Sequence, residues 1–107
     1  MAAQVLGQIE WETEDGVVPL VFRTIQYENG NTGVEAVDAE TGEAWGVLSV
    51  NPSPMQARPA AGSFYLKDWS ENADLAARFI ELGVTEADAE QTLACGYEVA
   101  VLHRIVA

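Results

Sequence analysis

"SFYLKDWSENADLAARFIEL", residues 63–82, contains the clearest change of hydrophobic period in the chain. Residues 63–67 form an apolar, aromatic run that is typical of a β-strand. Beyond this run the apolar residues recur at helical spacing, which predicts an amphipathic helix over residues 71–82. Ser70 or Asn72 is predicted to cap the N-terminus of that helix. The stretch therefore predicts a strand that passes almost directly into a helix.

Upstream of this stretch, apolar and polar positions alternate between closely spaced turn residues. A period of two is typical of β-strands, and it predicts strands over residues 4–12, 17–27, 34–38 and 44–50. The alternation in the first strand predicts one shared face for Val5, Gly7, Ile9 and Trp11. Asp15-Gly16 is a favoured hairpin turn, and the proline-rich residues 51–62 predict a surface loop.

Downstream of residue 82, the sequence predicts a short second helix and a last strand. Thr85 is predicted to cap a helix over residues 86–94, and residues 95–106 are apolar on both faces, as in a strand inside a sheet. The predicted fold class is α+β, with an antiparallel sheet of about five to six strands. One main helix and the short second helix pack on one face, and residues 1–107 form a single acidic domain.

Charge is the most unusual property of the composition. The chain has 17 acidic and 5 basic side chains, a formal net charge of −12, and residues 1–53 contain Arg23 as their only basic residue. Such a surface repels nucleic acid and anionic membranes, and it attracts basic surfaces, including those that hold nucleic acid. The alternative interpretation is that the acidity serves solubility only.

The acids of the first half follow a pattern. Glu10, Glu12 and Glu14 alternate, so a strand would project them from one face at steps of about 6.6 Å. Such a row resembles the charge that a basic groove for nucleic acid expects, although it would also protect a sheet edge from aggregation. The predicted partner-binding residues are Glu10, Glu12, Glu14, Asp15, Glu35, Asp38, Glu40, Glu43 and Trp69. Trp69 either stabilises the strand–helix junction or faces a partner.

The sequence does not predict catalytic chemistry. Cys95 and His103 are the only cysteine and histidine, and eight residues of extended strand would separate them by about 26 Å. Their spacing matches no metal-binding motif, and no phosphate-binding loop is present. We therefore expect no catalytic residues, no metal and no cofactor; an enzyme would need a concave pocket with convergent polar groups. A single cysteine and an N-terminus without a basic leader predict a cytoplasmic protein.

Three segments resemble a known family: "GVLSVNPSP" (46–54), "GSFYLKDWSENADLAARFIELGV" (62–84) and "CGYEVAVLHRI" (95–105). The chain is similar here to a small acidic domain of unknown function from phages, plasmids and integrative elements of bacteria. The resemblance extends from about residue 44 to the end, and loosely over residues 17–43. It implies a mobile-element context, in which small acidic proteins are often anti-CRISPR or anti-restriction inhibitors that resemble nucleic acid.

Charge and resemblance together give a functional hypothesis. The protein is expected to be a non-enzymatic, anti-CRISPR-like inhibitor in the bacterial host cytoplasm. Its acidic, DNA-mimic-like face would bind a basic surface of a host nucleic-acid-binding protein or CRISPR effector complex. It would bind neither nucleic acid nor membrane directly, and would act as a monomer or homodimer. The alternative is an accessory or structural protein of a mobile element.

Overall fold

The computed structural model describes residues 3–106, so the predicted domain limits at residues 1 and 107 lie outside it. The α+β class is confirmed: eight strands accompany one helical segment. The strands are β1 (Val5–Thr13), β2 (Gly16–Gln26), β3 (Thr32–Asp38), β4 (Ala44–Val47), β5 (Ser49–Val50), β6 (Ser63–Leu66), β7 (Thr85–Cys95) and β8 (Glu98–Ile105). The helical segment begins with a 3-10 turn at Ser70–Asn72 and continues as α1 (Ala73–Glu81).

The strands form two four-stranded antiparallel sheets. Sheet A has the order β1-β2-β3-β4, and sheet B has the order β5-β6-β8-β7. The predicted continuous strand over residues 44–50 is interrupted at the fully buried Leu48, where the chain passes from sheet A to sheet B. The predicted position of the last strand is confirmed, because β8 lies between β6 and β7.

Three phenylalanine rings connect the two sheets through α1. The Phe79 ring of α1 packs edge-on against Phe22 of β2, at a centroid distance of 5.0 Å, and against Phe64 of β6, at 6.2 Å. All three side chains are fully or almost fully buried. The α1 face that carries Phe79 therefore closes a core that both sheets share. Its other buried members are Leu6, Ile9, Leu20, Val34, Ala36, Leu48, Leu66, Leu75 and Ala76.

A smaller cluster forms on the opposite face of sheet B. It contains Tyr65, Leu93, Ala100 and Leu102, with Trp69 and Cys95 packed against it. Ala57, from the proline-rich loop, also packs there, so this loop covers part of the second face. Sheet B is therefore apolar on both sides, as the pattern of its last strand predicts.

The helix start differs from the predicted cap. The Asn72 side chain makes no capping hydrogen bond; its Nδ2 donates instead to the backbone oxygens of Val47, at 2.8 Å, and Lys67, at 3.3 Å. A buried amide must be hydrogen-bonded, and these two carbonyl oxygens accept the N–H groups of the Asn72 amide. Asn72 thus fastens the helix start to the ends of β4 and β6. Ser70, the other predicted cap, adopts a positive φ of 55°.

The predicted short helix over residues 86–94 is wrong, because these residues belong to β7. Alanine and glutamate favour a helix, but nine residues make a marginal helix without tertiary support. As a strand, β7 pairs with the backbone N–H and C=O groups on the edge of β8 that β6 does not use. Ala87 lies opposite His103, and Leu93 lies opposite Ala100. The gain in sheet hydrogen bonds therefore overrides the local helix propensity.

The predicted inner face of β1 is correct except at its start. The register with β2 shifts between Val5 and Gly7, as in a β-bulge. As a result Leu6 is buried, whereas Val5 is 65% exposed and turns to the opposite face; Ile9 is buried, as the alternation predicts. Trp11 is half-buried and packs against the core, as its position in the alternation predicts.

We expect Phe79→Ala to lower the free energy of unfolding by about 3–5 kcal/mol, because truncation leaves a cavity that both sheets border. Ile80→Ala is a matched control on the same helix, since Ile80 is 47% exposed. It should cost well under half as much. Urea titration followed by circular dichroism measures both values. Equal losses in the two variants would show that Phe79 does not hold the sheets together.

Candidate functional site: an acidic hairpin arm

The β1–β2 hairpin projects beyond the rest of sheet A. Pairing between β2 and β3 ends where Leu20 faces Asp38 and the Ala39 N–H donates to the Pro19 oxygen. From Pro19 to Gly16, β2 continues for four residues, which span about 10 Å, and these residues pair with β1. We call residues 10–19 the acidic arm. It is a two-stranded ribbon attached to the body of sheet A at its base.

The tip of the acidic arm presents two carboxylates. Glu14 and Asp15 form the turn between Thr13 and Gly16, which pair as the last residues of the ladder. The predicted turn at Asp15-Gly16 is therefore displaced by one residue. The Thr13 hydroxyl donates to the Gly16 oxygen at 2.8 Å and accepts from the Asp15 N–H at 3.2 Å. These bonds fix the backbone of the turn, so the two exposed side chains, Glu14 and Asp15, leave the backbone from fixed positions.

Two more carboxylates project from the outer face of the arm, the face turned away from the core. Glu10 lies opposite Pro19 and Glu12 opposite Val17, and both acids are exposed. Alternate residues of an antiparallel strand are about 6.8 Å apart, close to the predicted step, and both side chains are on one face, as the alternation predicts. The Arg78 guanidinium of α1 is near, but its Nη2 donates to the Glu10 backbone oxygen, at 3.4 Å, and its Nε lies 3.7 Å from Glu81.

The β3–β4 turn brings further acids to the same end of sheet A. In four consecutive antiparallel strands, the β1–β2 turn and the β3–β4 turn lie at the same end of the sheet. Glu40 and Glu43 therefore lie on the side of the arm tip. Asp38 also lies here, but Oδ1 accepts the N–H groups of Glu40, at 2.7 Å, and Thr41, at 3.2 Å. Asp38 therefore shapes the turn that presents its neighbours.

Glu35 is placed differently from the other predicted acids. It faces Arg23 across β2 and β3, and its Oε1 accepts from the Arg23 Nε at 2.8 Å. Its side chain is only 15% exposed. The pair lies on the outer face of sheet A and is nearly neutral. The structure thus brings six of the eight predicted acids to one end of sheet A as exposed carboxylates: Glu10, Glu12, Glu14, Asp15, Glu40 and Glu43.

Trp69 lies away from this acidic end. It is half-buried and packs against the cluster on the second face of sheet B, which includes Tyr65 and Leu102. This packing indicates that Trp69 stabilises the strand–helix junction. The structure does not bring it together with the carboxylates of the arm.

The other ion pairs place basic residues away from the arm. In the part of the chain that the structure describes, Lys67 pairs with Glu71 and Arg104 with Glu86, in addition to the pairs of Arg23 and Arg78. None of these four pairs uses a carboxylate of the arm or of the β3–β4 turn. Within the described residues, the carboxylates of the acidic end therefore lie outside these ion pairs, whereas part of the charge elsewhere is compensated.

Cys95 and His103 lie on opposite faces of sheet B. Cys95 packs with the second cluster, whereas the His103 ring stacks on Phe64 of the shared core at a centroid distance of 6.1 Å. Its Nδ1 lies 2.9 Å from the Thr85 hydroxyl oxygen. Burial lowers the pKa of His103 below its ordinary value of 6.5, and the nearby Asp68 carboxylate partly opposes this shift. The two side chains do not form a nucleophile–base pair.

A groove of about 710 Å³ lies at the end of sheet A opposite to the arm tip. Thr24, Gln26, Thr32 and Gly62 contribute to its wall, and its charged groups are the mutually paired Arg23 and Glu35. Within residues 3–106, no group of three His, Cys, Asp or Glu side chains is arranged to hold a metal ion. No helix in the same range is long and apolar enough to cross a membrane.

Comparison with known proteins leaves the family of this chain open. No family of proteins, curated protein or solved structure shows significant similarity to it. The resemblance to the acidic family of mobile elements therefore stays a prediction from the sequence. What the acidic arm can do follows from its own residues.

The acids of the arm have apolar neighbours that were not predicted from the sequence. Val17 and Pro19 stand on the outer face directly opposite Glu12 and Glu10. The run VVPLV, residues 17–21, contains this information, because alternation must place some of its apolar residues outward.

The buried His103 predicts a dependence of stability on pH. Because its folded pKa is depressed, the unfolded chain binds the proton more readily. This contribution is fully present above pH 6.5 and is lost as the pH falls through 6.5 toward the folded pKa. We expect the melting temperature of the wild type to fall relative to that of His103→Gln between pH 7.5 and pH 5, as measured by scanning calorimetry. Parallel pH profiles for the two proteins would contradict this effect.

Proposed function

We propose that this protein is a non-enzymatic inhibitor of a bacterial defence system, of the anti-CRISPR type. Its acidic arm and the adjacent β3–β4 turn bind a basic surface that normally holds nucleic acid. The observation that carries the proposal is the grouping of six exposed, unneutralised carboxylates at one end of sheet A. Residues 1–22 contain no lysine or arginine that would dilute this charge.

The spacing of the arm carboxylates supports recognition by a phosphate-binding surface. Glu10 and Glu12 are about 6.8 Å apart along the strand, and two nucleotides of one DNA strand span about the same distance along the helix axis. Lysine and arginine side chains arranged for phosphates would therefore meet carboxylates at compatible intervals. Opposite charges on the two surfaces also accelerate their encounter.

The shape of the arm supports the same conclusion. Two paired strands lie about 4.8 Å apart, so the ribbon is narrow compared with the body of the protein. Glu14 and Asp15 at its tip would enter a groove first, and Glu10 and Glu12 would line its wall. The body of sheet A, with Glu40 and Glu43, would stay at the rim.

The resemblance to acidic proteins of mobile elements supplies the biological context, since such elements benefit from inhibiting host defence. The competing interpretation is that the acidity serves only solubility in an accessory protein. The two differ in one respect: mimicry depends on where the charge lies, whereas solubility depends on how much charge there is.

A capture experiment tests this difference. The tagged protein is incubated with a lysate of bacteria that carry CRISPR and restriction systems, and bound proteins are identified by mass spectrometry. We expect a nucleic-acid-binding defence protein to be retained at 0.1 M salt and released at 1 M, where the screening length falls from about 10 Å to about 3 Å. The variant with Glu10→Lys, Glu12→Lys, Glu14→Lys and Asp15→Lys should retain at most a tenth of it.

A control variant separates position from total charge. Reversal of four exposed acids elsewhere, Glu28→Lys, Asp74→Lys, Glu90→Lys and Glu98→Lys, changes the net charge by the same amount. It should retain the partner, and circular dichroism should show both variants folded. Equal loss in the two variants would reduce the interaction to net charge, and capture that persists in the arm variant would remove the mimic mechanism.

A further inference from the structure

The outer face of sheet A is rich in valine. Its alternating outward positions include one valine from β1, two from β2 and one each from β3 and β4. We call this set the valine face: Val5, Val17, Val21, Val37 and Val47. Val17 is 57% exposed and Val47 is 41% exposed, whereas Val21 is half-buried and Val37, at 5% exposure, is buried. The solvent side of an antiparallel sheet is ordinarily polar, so this composition is unusual.

Three members of the valine face, Val5, Val17 and Val47, expose their methyl groups to solvent. Val5, at 65% exposure, and Val47 flank the Arg23–Glu35 pair, whose charges compensate each other. Removal of these methyl groups from water is favourable in free energy, and exposed apolar patches often mark interaction sites. The valine face is therefore suited to burial against another surface.

Charge borders the valine face on one side. Glu10 and Glu12 belong to the edge strand β1, and the residues directly opposite them on β2 are Pro19 and Val17. Directly opposed side chains have Cβ atoms about 5 Å apart. A partner that covers Val17 must therefore also meet the Glu12 carboxylate. The acidic side chains of β1 and the apolar side chains of β2 therefore form one surface, negatively charged on one side and apolar on the other.

The face is closed at the end distant from the arm. A Cβ on Gly33 of β3 would lie 2.7 Å from the Ser49 hydroxyl oxygen and 2.7 Å from a Tyr27 ring carbon. The Tyr27 hydroxyl and the Ser49 hydroxyl are hydrogen-bonded at 2.8 Å. These two side chains cover the sheet at Gly33, so the exposed apolar side chains of the face are Val5 and Val47 beside the Arg23–Glu35 pair and Val17 on the arm.

We propose that the valine face docks a protein segment in which apolar side chains alternate with lysine or arginine. The apolar side chains would cover Val17 and Val47, and the cations would meet Glu10 and Glu12. A second copy of this chain fits poorly, because each copy carries a net charge of −12 and brings the same acids to the same face. The inference rests on the proposed function, and it specifies what the basic partner surface contains besides charge.

Two synthetic peptides of equal length and charge serve as probes, one alternating Lys and Leu and the other alternating Lys and Ser. Their dissociation constants are measured by isothermal titration calorimetry at an ionic strength of about 0.15 M. We expect the Lys–Leu peptide to bind the wild type about tenfold more tightly. The double variant Val17→Thr, Val47→Thr should lose this advantage and keep its affinity for the Lys–Ser peptide.

A matched control and the arm variant make the outcomes separable. Val99→Thr alters a valine of sheet B with 53% exposure and should leave both affinities unchanged. Equal affinities of the wild type for the two peptides would overturn the role of the valine face, as would dimerisation in sedimentation experiments that the double variant abolishes. Neither outcome affects the proposed function, which fails instead if the four arm reversals leave Lys–Ser binding unchanged.

Discussion

Phe79 is the point on which the two-sheet architecture depends. Its ring contacts Phe22 in sheet A and Phe64 in sheet B, and it comes from a helix of nine residues. A helix of that length is marginal in water, so α1 is stabilised mainly by the packing of its apolar face. The sheets in turn need the helix to cover the inner surface that they share. Helix and sheets therefore stabilise each other, and neither is expected to persist alone.

The same packing determines where the charged and apolar surfaces lie. Because α1 and sheet B occupy the inner face of sheet A, the outer face of that sheet is turned to solvent. At the base of the arm, Trp11 and Val18 pack against the core and anchor the ribbon. Beyond them the arm residues are free of packing constraints, so carboxylates can accumulate there at little cost to the fold. The proposed recognition surface lies where few side chains must pack against the core.

Much of the architecture could be predicted from local patterns. The helix follows from the spacing of Leu75, Ala76 and Phe79, and the hairpins follow from alternation and turn residues. The residues of β7 could not be assigned in this way, because local propensity favours a helix there and pairing with β8 decides otherwise. A bulge such as the one that turns Val5 outward also leaves no mark in a period of two.

The acidic end was predictable in composition and less so in detail. The acids of the arm stand at alternate positions and in a turn, so their exposure follows from the sequence. The neutralisation of Glu35 depends on the register that places Arg23 opposite to it, and the use of Asp38 depends on the length of its turn. Both need the paired strands to be known. The burial of Trp69 could not be predicted either, because the residues that cover it come from sheet B and the proline-rich loop, and several of them are distant in sequence.

The chain passes from sheet A to sheet B once, at Leu48. Its N–H donates to Val34 of sheet A, and its carbonyl accepts from Lys67 at the end of β6. Every strand of sheet A precedes this residue in sequence, and every strand of sheet B follows it. A chain divided at this point would yield two fragments, each with a full set of strand partners and half of a hydrophobic core. The molecule is thus a natural pair of complementary halves joined at one buried leucine.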